Sequence, residues 1–383
     1  MKPENLHKIP TIPALKQTET RPRNYQASTY NWENHRQFLS MEIHTQQNGH
    51  APNHWDLAPE DHGHIPIIDF SSYSLLKGAV DEDELQPLAT QLVQAFSTVG
   101  FVYLRNHGIP SALVSQAFDS SSRFFELPEE VKTNYTLPLE KAMSHGWLHL
   151  ERENVTTKRP PGIKECYDVR PQVATEKMWP SEEVPEFEQA SLQLYDKCRQ
   201  LSLRIIELMA RGLNIQDVSN FLSLHDKIGT AANGTMMRIL HYPPLPERVK
   251  PGQIRCGEHT DYGEITILFQ DAVGGLEVQS CEGKYVPAPP IPDTVVVNIG
   301  DLMQRWTADK LASTMHRVLL PETEEGQKSH RRSIAFFVHP NKDTTIASLD
   351  GSNKYPPIKA GEYLDERLTS TYGGRKSEEK TVN

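Results

Sequence analysis

Cysteine is scarce in this chain. The four copies, Cys166, Cys198, Cys256 and Cys281, are scattered over 383 residues and form neither a C-x-x-C pair nor a compact framework. That spacing argues against a disulfide scaffold and for reduced thiols in a reducing compartment. Long apolar runs are also missing: none approaches the roughly 18 residues that a membrane span needs, and no apolar signal segment opens the chain. The expected location is therefore cytoplasmic, with no membrane contact. Positive charge is in deficit, at 40 Lys and Arg against 50 Asp and Glu for a net charge of −10. No basic stripe with interleaved aromatics stands out, which argues against a nucleic acid partner. What is present is a globular composition, with 37% hydrophobic residues, a mean hydropathy of −0.56 and length enough to bury a large core. A monomer is expected.

Residues 1–63 are polar, carry His7, His35, His44, His50, His54 and His62, and show no sustained period. They are expected to be a poorly ordered extension. A helix-rich region is expected over 64–230. Its helices fall at 84–99, closed by Gly100, at a stretch ending at Phe125, and at 185–212; its short strands fall at 65–70, 101–105, 146–150 and 164–169. From 231 to 345 the period changes to that of sheet, with strands expected at 236–242, 265–269, 276–279, 294–299, 318–320 and 333–338. Short strands punctuated by Gly and Pro after a helical first half predict an α+β chain. Its core would be a jelly roll (a double-stranded β-helix) buttressed by helices, with a C-terminal helix and tail over 346–383.

The chemistry concentrates in His259-Thr-Asp261. Side chains at i and i+2 of an extended segment share a face, so His259 and Asp261 can grip one ion. His316, which opens the apolar run Val318-Leu319-Leu320, can reach the same interior from a neighbouring strand. Two imidazoles and a carboxylate on one side of an octahedron suit a non-haem iron(II) oxygenase. The two-letter motif alone is weak, because His54-Trp-Asp56 matches it as well, but His54 has no apolar run behind it. Arg331 and Ser333, again two apart, add a planar fork and a hydroxyl on one face, fit for an anionic co-substrate. Arg332 between them is expected to face the other way and to be solvated. His339 shares the parity of Arg331 and is the nearest rival to His316 as a ligand.

With these residues in place, the run from about Ile65 to Tyr372 resembles the 2-oxoglutarate and iron(II)-dependent dioxygenases of the isopenicillin N synthase-like branch. The resemblance rests on Phe101-Val-Tyr-Leu-Arg-Asn-His-Gly-Ile109, Arg238-Ile-Leu-His-Tyr-Pro-Pro244, His259-Thr-Asp-Tyr-Gly263, Gly274-Gly-Leu-Glu-Val278, Asn298-Ile-Gly-Asp301, Thr314-Met-His-Arg-Val318 and Arg331-Arg-Ser-Ile-Ala-Phe-Phe337, in family order. It implies Fe(2+) held by His259, Asp261 and His316, with 2-oxoglutarate held by Arg331, Ser333 and Tyr242. It also implies O2 as oxidant and a reductant such as ascorbate. Leu240 stands where many members have an asparagine, which leaves Tyr242 open between a co-substrate contact and a core tyrosine. Family comparison places contacts to a small-molecule substrate near Arg159, Lys164, Tyr167 and Phe337; Lys158, Arg159 and Lys164 could meet the carboxylate of a small acidic molecule, against which stands the plainer reading of a solvated basic loop. The expected reaction is oxidation of a C–H bond, by hydroxylation, desaturation or ring closure, with release of succinate and CO2. Two alternatives remain: an iron oxidase of the same branch that dispenses with 2-oxoglutarate, and a non-catalytic jelly-roll binding protein.

Overall fold

Alternation along the strands gives the main sheet two different faces, and each is buried against something different. The computed structural model describes residues 65–372, apart from 79, 138–143, 154–155 and 157. The expectations for residues 1–63, His54-Trp-Asp56 among them, and for the tail beyond 372 lie outside these described residues.

In chain order the strands are β1 (Ile67–Asp69), β2 (Phe101–Arg105), β3 (Gly146–Leu148), β4 (Glu165–Val169), β5 (Met236–Tyr242), β6 (Cys256–His259), β7 (Ile265–Gln270), β8 (Leu276–Gln279), β9 (Tyr285–Pro287), β10 (Thr294–Ile299), β11 (His316–Val318), β12 (Arg331–Val338), β13 (Thr345–Ile346) and β14 (Ile358–Lys359). Eight of them form one sheet in the order β1-β2-β10-β7-β12-β5-β4-β3, and a second sheet runs β6-β11-β8-β9. The helices that matter here are α1 (Glu82–Thr98), α2 (Ser111–Phe125), α3 (Phe187–Gly212), α4 (Asp301–Trp306) and α5 (Ala360–Tyr372).

On β12, Ile334, Phe336 and Val338 turn to the face covered by helices, where α1 contributes Leu85, Leu88, Leu92 and Phe96 and α3 contributes Leu194, Leu201 and Ile205. The helical spacing of those leucines is what brings them to one stripe. Each such side chain, fully buried, contributes about 1.5–3 kcal/mol. Arg331, Ser333, Ala335 and Phe337 turn to the other face, across from the smaller sheet, where Cys256, Leu276, Val278 and Val318 complete a second apolar layer. This is the expected α+β jelly roll with helical buttresses.

Three boundaries differ from the sequence reading. The strand expected at 318–320 is β11, which begins at His316 itself, because that residue pairs with His259 on β6. The segment carrying His259 and Asp261, expected to be extended throughout, is a strand only from Cys256 to His259, and Asp261 lies in the loop beyond it. Residue 230 is no structural division: β1 pairs onto β2, β2 onto β10 and β4 onto β5, so strands from both halves share one sheet. All described residues accordingly lie in one compact unit.

Glycine is required where the metal-bearing loop meets the sheet. A Cβ on Gly300 would lie 2.4 Å from the Gly263 carbonyl oxygen and 3.0 Å from that of Asp261. The neighbouring backbone is pinned there too, with Gly300 N–H donating to Glu264 O (2.9 Å) and Asp301 N–H to Asp261 O (2.7 Å). Gly300→Ala is expected to destabilise the protein by about 1–3 kcal/mol, the usual cost of overpacking, and to loosen Asp261. A lower denaturant midpoint together with reduced iron content would bear this out; an unchanged midpoint would refute it.

Candidate metal centre and co-substrate pocket

His259 ends β6, and its direct partner across the ladder is His316 on β11, with the two ring centroids 4.2 Å apart. Asp261 follows in the loop into β7. Its Oδ2 accepts from the Thr266 hydroxyl (2.6 Å) and from Asn298 Nδ2 (2.8 Å). That leaves Oδ1 turned toward His259 Nε2 (3.9 Å) and His316 Nε2 (3.7 Å). Each imidazole is oriented from behind by a backbone carbonyl: His259 Nδ1 pairs with Gly257 O at 2.8 Å, and His316 Nδ1 with Thr314 O at 3.0 Å. A carbonyl can only accept, so each ring turns an Nδ1 proton outward and its Nε2 inward, the orientation a metal requires.

The three donor atoms lie within 4.8 Å of one another, the one such grouping among the described residues. Burial and the charge of His259 pull His316 down to about 4. Burial works against the Asp261 carboxylate, but His316 and His259 outweigh it and hold the group low. For His259, burial is overcome by Cys256 and Asp261, which raise it to about 9. The cluster therefore draws positive charge to itself, and a two-nitrogen, one-oxygen set with fixed orientations fits a divalent ion such as iron(II).

The anchor is equally specific. Arg331 is buried, at 1% exposure. Its guanidinium donates from Nε to Gly274 O (2.7 Å), from Nη1 to Ser333 Oγ (3.3 Å) and from Nη2 to Gln270 Oε1 (3.4 Å). The Tyr242 ring lies beneath it, 4.8 Å from guanidinium carbon to ring centroid. Tyr242 thus lies beside the anchor and is also buried in the apolar layer of this face. Sequence reasoning missed a second guanidinium: Arg255 is fully buried, and burial together with repulsion from Arg331 lowers it to about 10. No local signal marks Arg255.

Both groups open into one cavity of about 160 Å³ between the sheets. Of the expected substrate residues, Lys164 and Phe337 line it, whereas Tyr167 and Arg159 do not. Tyr167 has the opposite parity on β4 and packs among Phe124, Phe187 and Trp179 under the helices, its hydroxyl bonded to Met178 O. Arg159 clasps Glu258 with two bonds of 2.8 Å and holds that carboxyl far below its usual range, at about 2. Arg332 also departs from expectation. It does turn away from the cavity, but it is partly covered, donating to Ser122 Oγ (2.8 Å) and lying over the Phe118 ring of α2.

Lys164 is not a waiting cation either. Its Nζ lies 2.7 Å from Glu153, which lies 2.6 Å from Arg238, which in turn clasps Asp168 at 2.6 and 2.8 Å. The C-terminal helix completes the wall with Leu364, Leu368 and Thr371. Thr371 Oγ1 meets the Tyr262 hydroxyl at 2.6 Å, and Arg367 reaches Asp301 at 2.5 Å.

Comparison with known proteins agrees with this geometry. Residues 233–340 match the model described as the 2OG-Fe(II) oxygenase superfamily, and residues 65–187 match that described as the non-haem dioxygenase in morphine synthesis N-terminal region. A 2-oxoglutarate-Fe(II) type oxidoreductase of Metarhizium rileyi is 33% identical over 310 residues, covering 74% of this chain and 86% of that protein. A proline hydroxylase of Petromyces alliaceus is 34% identical over 300 residues, covering 73% and 92%. Among solved structures, full-length Neurospora crassa T7H in complex with alpha-KG superposes with a TM-score of 0.71 at 36% identity, covering 82% of this chain and 98% of that one. The same protein has been solved with alpha-KG and thymine.

Proposed function

Because the chain belongs to the 2OG-Fe(II) oxygenase superfamily, we propose that His259, Asp261 and His316 hold its iron and that Arg331, Ser333 and Tyr242 hold the far carboxylate of its co-substrate. The protein is a 2-oxoglutarate- and iron(II)-dependent oxygenase, with Fe(2+), 2-oxoglutarate and O2 as its cofactor set. That sets aside both the oxidase without 2-oxoglutarate and the non-catalytic binding protein. The observation that carries the residue assignment is the convergence of three oriented donor atoms and one buried guanidinium on the same cavity.

Iron(II), 2-oxoglutarate and O2 together supply the oxidising power for breaking a substrate C–H bond, with succinate and CO2 as co-products. The chain's own contribution is position. The Gly257 and Thr314 carbonyls fix the two imidazoles. Thr266 and Asn298 hold Asp261 by one oxygen so that the other faces inward. Arg331, already oriented by Gly274 O, presents its fork to a carboxylate, and the apolar side chains around it strengthen that pairing by excluding water.

The prime substrate is a small molecule; the relatives named above point to compact rings, thymine in one complex and proline in one name. Hydroxylation of such a ring is the reading we favour. A monomer in the cytoplasm, without membrane contact, is in keeping with four free cysteines and with no described helix long and apolar enough to cross a membrane.

The direct test is optical. Anaerobic protein loaded with iron(II) is expected to develop a weak visible charge-transfer band on addition of 2-oxoglutarate, and none with succinate. Absence of the band, or substrate turnover without succinate release, would sink the assignment.

A further inference from the structure

At the end of the cavity remote from Arg331 lies His339, one residue past β12 and only 6% exposed. Its backbone is fully engaged: the carbonyl accepts from Asn233 Nδ2 (2.9 Å) and Thr235 Oγ1 (3.3 Å), and the N–H donates to Thr235 Oγ1 (3.0 Å). Its ring nitrogens, by contrast, make no hydrogen bond among the described residues. Nor does the imidazole join the metal cluster. The ring lines the cavity with neither nitrogen engaged by a described residue, so both are available to a ligand there.

The surroundings are built to seat that ring. A Cβ on Gly263 would lie 3.1 Å from its Cε1 and 3.3 Å from its Nε2, and one on Gly234 would lie 3.4 Å from its Cγ. Neither glycine has a positive φ, so close approach rather than backbone conformation accounts for both, to β12 and Leu364 as well as to the ring. Burial, reinforced by the charge of Arg170, lowers His339 to about 3, which leaves it uncharged at neutral pH, able to donate from one nitrogen and accept at the other.

The charged side chains nearby are already committed. Lys164 and Arg238 face Glu153 and Asp168, and Arg170 donates to Gly234 O and the Met236 sulfur. A charged substrate would have to disrupt these pairs, whereas Phe337, Met236 and Leu368 offer flat apolar surface.

We propose that His339 is a specificity-determining residue of this oxygenase, its imidazole hydrogen-bonding a carbonyl or N–H of an uncharged, planar ring seated against Phe337. The inference deepens the oxygenase reading and rests on it. It also disfavours the acidic molecule that was one of two readings of the basic residues, because Lys164 and Arg159 are paired within the protein.

The test uses full-length protein loaded anaerobically with iron(II) and 2-oxoglutarate, whose binding is measured first, so that failure of the oxygenase reading shows separately. Thymine, uracil, succinimide and 2-pyrrolidinone are then titrated calorimetrically beside the charged compounds L-proline, acetate and benzoate. At least one uncharged ring should bind more tightly than every charged compound. His339→Phe should weaken it tenfold or more, with iron content and 2-oxoglutarate affinity held within about twofold, and His339→Gln should recover part of the loss. In wild-type protein carrying zinc and histidine labelled with carbon-13 at Cε1, the His339 signal should move as the same compound binds, a readout that does not depend on the variants folding. The proposal fails if only charged compounds bind, if none binds, if His339→Phe leaves affinity unchanged, or if it removes the iron.

Discussion

His259→Ala, Asp261→Ala and His316→Ala are each expected to leave the protein folded but without iron and without 2-oxoglutarate turnover. All three donor atoms lie within 4.8 Å of one another, and no other described His, Cys, Asp or Glu completes such a group, so a lost donor has no substitute. The variants also differ in what they leave behind. Without Asp261, Thr266 and Asn298 lose the oxygen they both donate to, and the two imidazoles lose their only carboxylate. That variant should show the greatest loss of stability of the three. A milder change checks the same geometry: Asn298→Ala removes one support of Asp261 and is expected to lower iron affinity about 10- to 100-fold, as is usual for groups that orient a ligand. Metal analysis after anaerobic reconstitution, with a thermal melt as folding control, decides the matter. Iron retained by His316→Ala but lost from His339→Phe would reverse the ligand assignment.

Arg331→Ala is expected to weaken 2-oxoglutarate binding by roughly ten- to a hundredfold or more, since bonds to charged groups contribute about 1.5–3 kcal/mol each and tenfold corresponds to about 1.4 kcal/mol. Iron affinity should scarcely change. Arg331→Lys should recover only part, because a point charge cannot reproduce the fork and cannot at once satisfy Gly274 O, Ser333 and Gln270. Arg332→Ala is the control, with a refinement that the structure adds. It should leave co-substrate affinity alone yet cost some stability, because its side chain is packed on Phe118 and bonded to Ser122. Anaerobic titrations of the four proteins would show it; equal affinities for wild type and Arg331→Ala would remove the anchor.

Strand parity made much of this site legible in the sequence. Arg331, Ser333 and Phe337 are separated by even steps along β12, so a local rule put them on one face; Asp261, two past His259, reaches the same centre from the loop instead. The same rule, carried through β4, separates Lys164 from Tyr167; family comparison had grouped them, and the structure puts them on opposite faces. Contacts made at long range left no trace. Arg238 meets Asp168 and Glu153 from 70 and 85 positions away. The helix that supplies Leu364 and Leu368 comes after the whole jelly roll, and nothing in its own sequence says which cavity it lines. Arg255 is of the same kind, because only the fold reveals that it is buried near enough to Arg331 to feel its charge.

The sheet order carries a consequence for how the protein comes to exist. Phe101 pairs with Asn298, roughly two hundred residues later, and β10, β7 and β12 lie between strands made early at both edges. During synthesis β1 can pair with β2 and β3 with β4, but the inner edge of β2 has no partner until β10 has left the ribosome, and that of β5 none until β12 has. Such non-local pairing makes for slow folding, with exposed strand edges open to aggregation meanwhile. The pocket wall arrives later still, with α5. The nascent chain therefore has to be kept from sticking for almost its whole length before it can hold a metal at all.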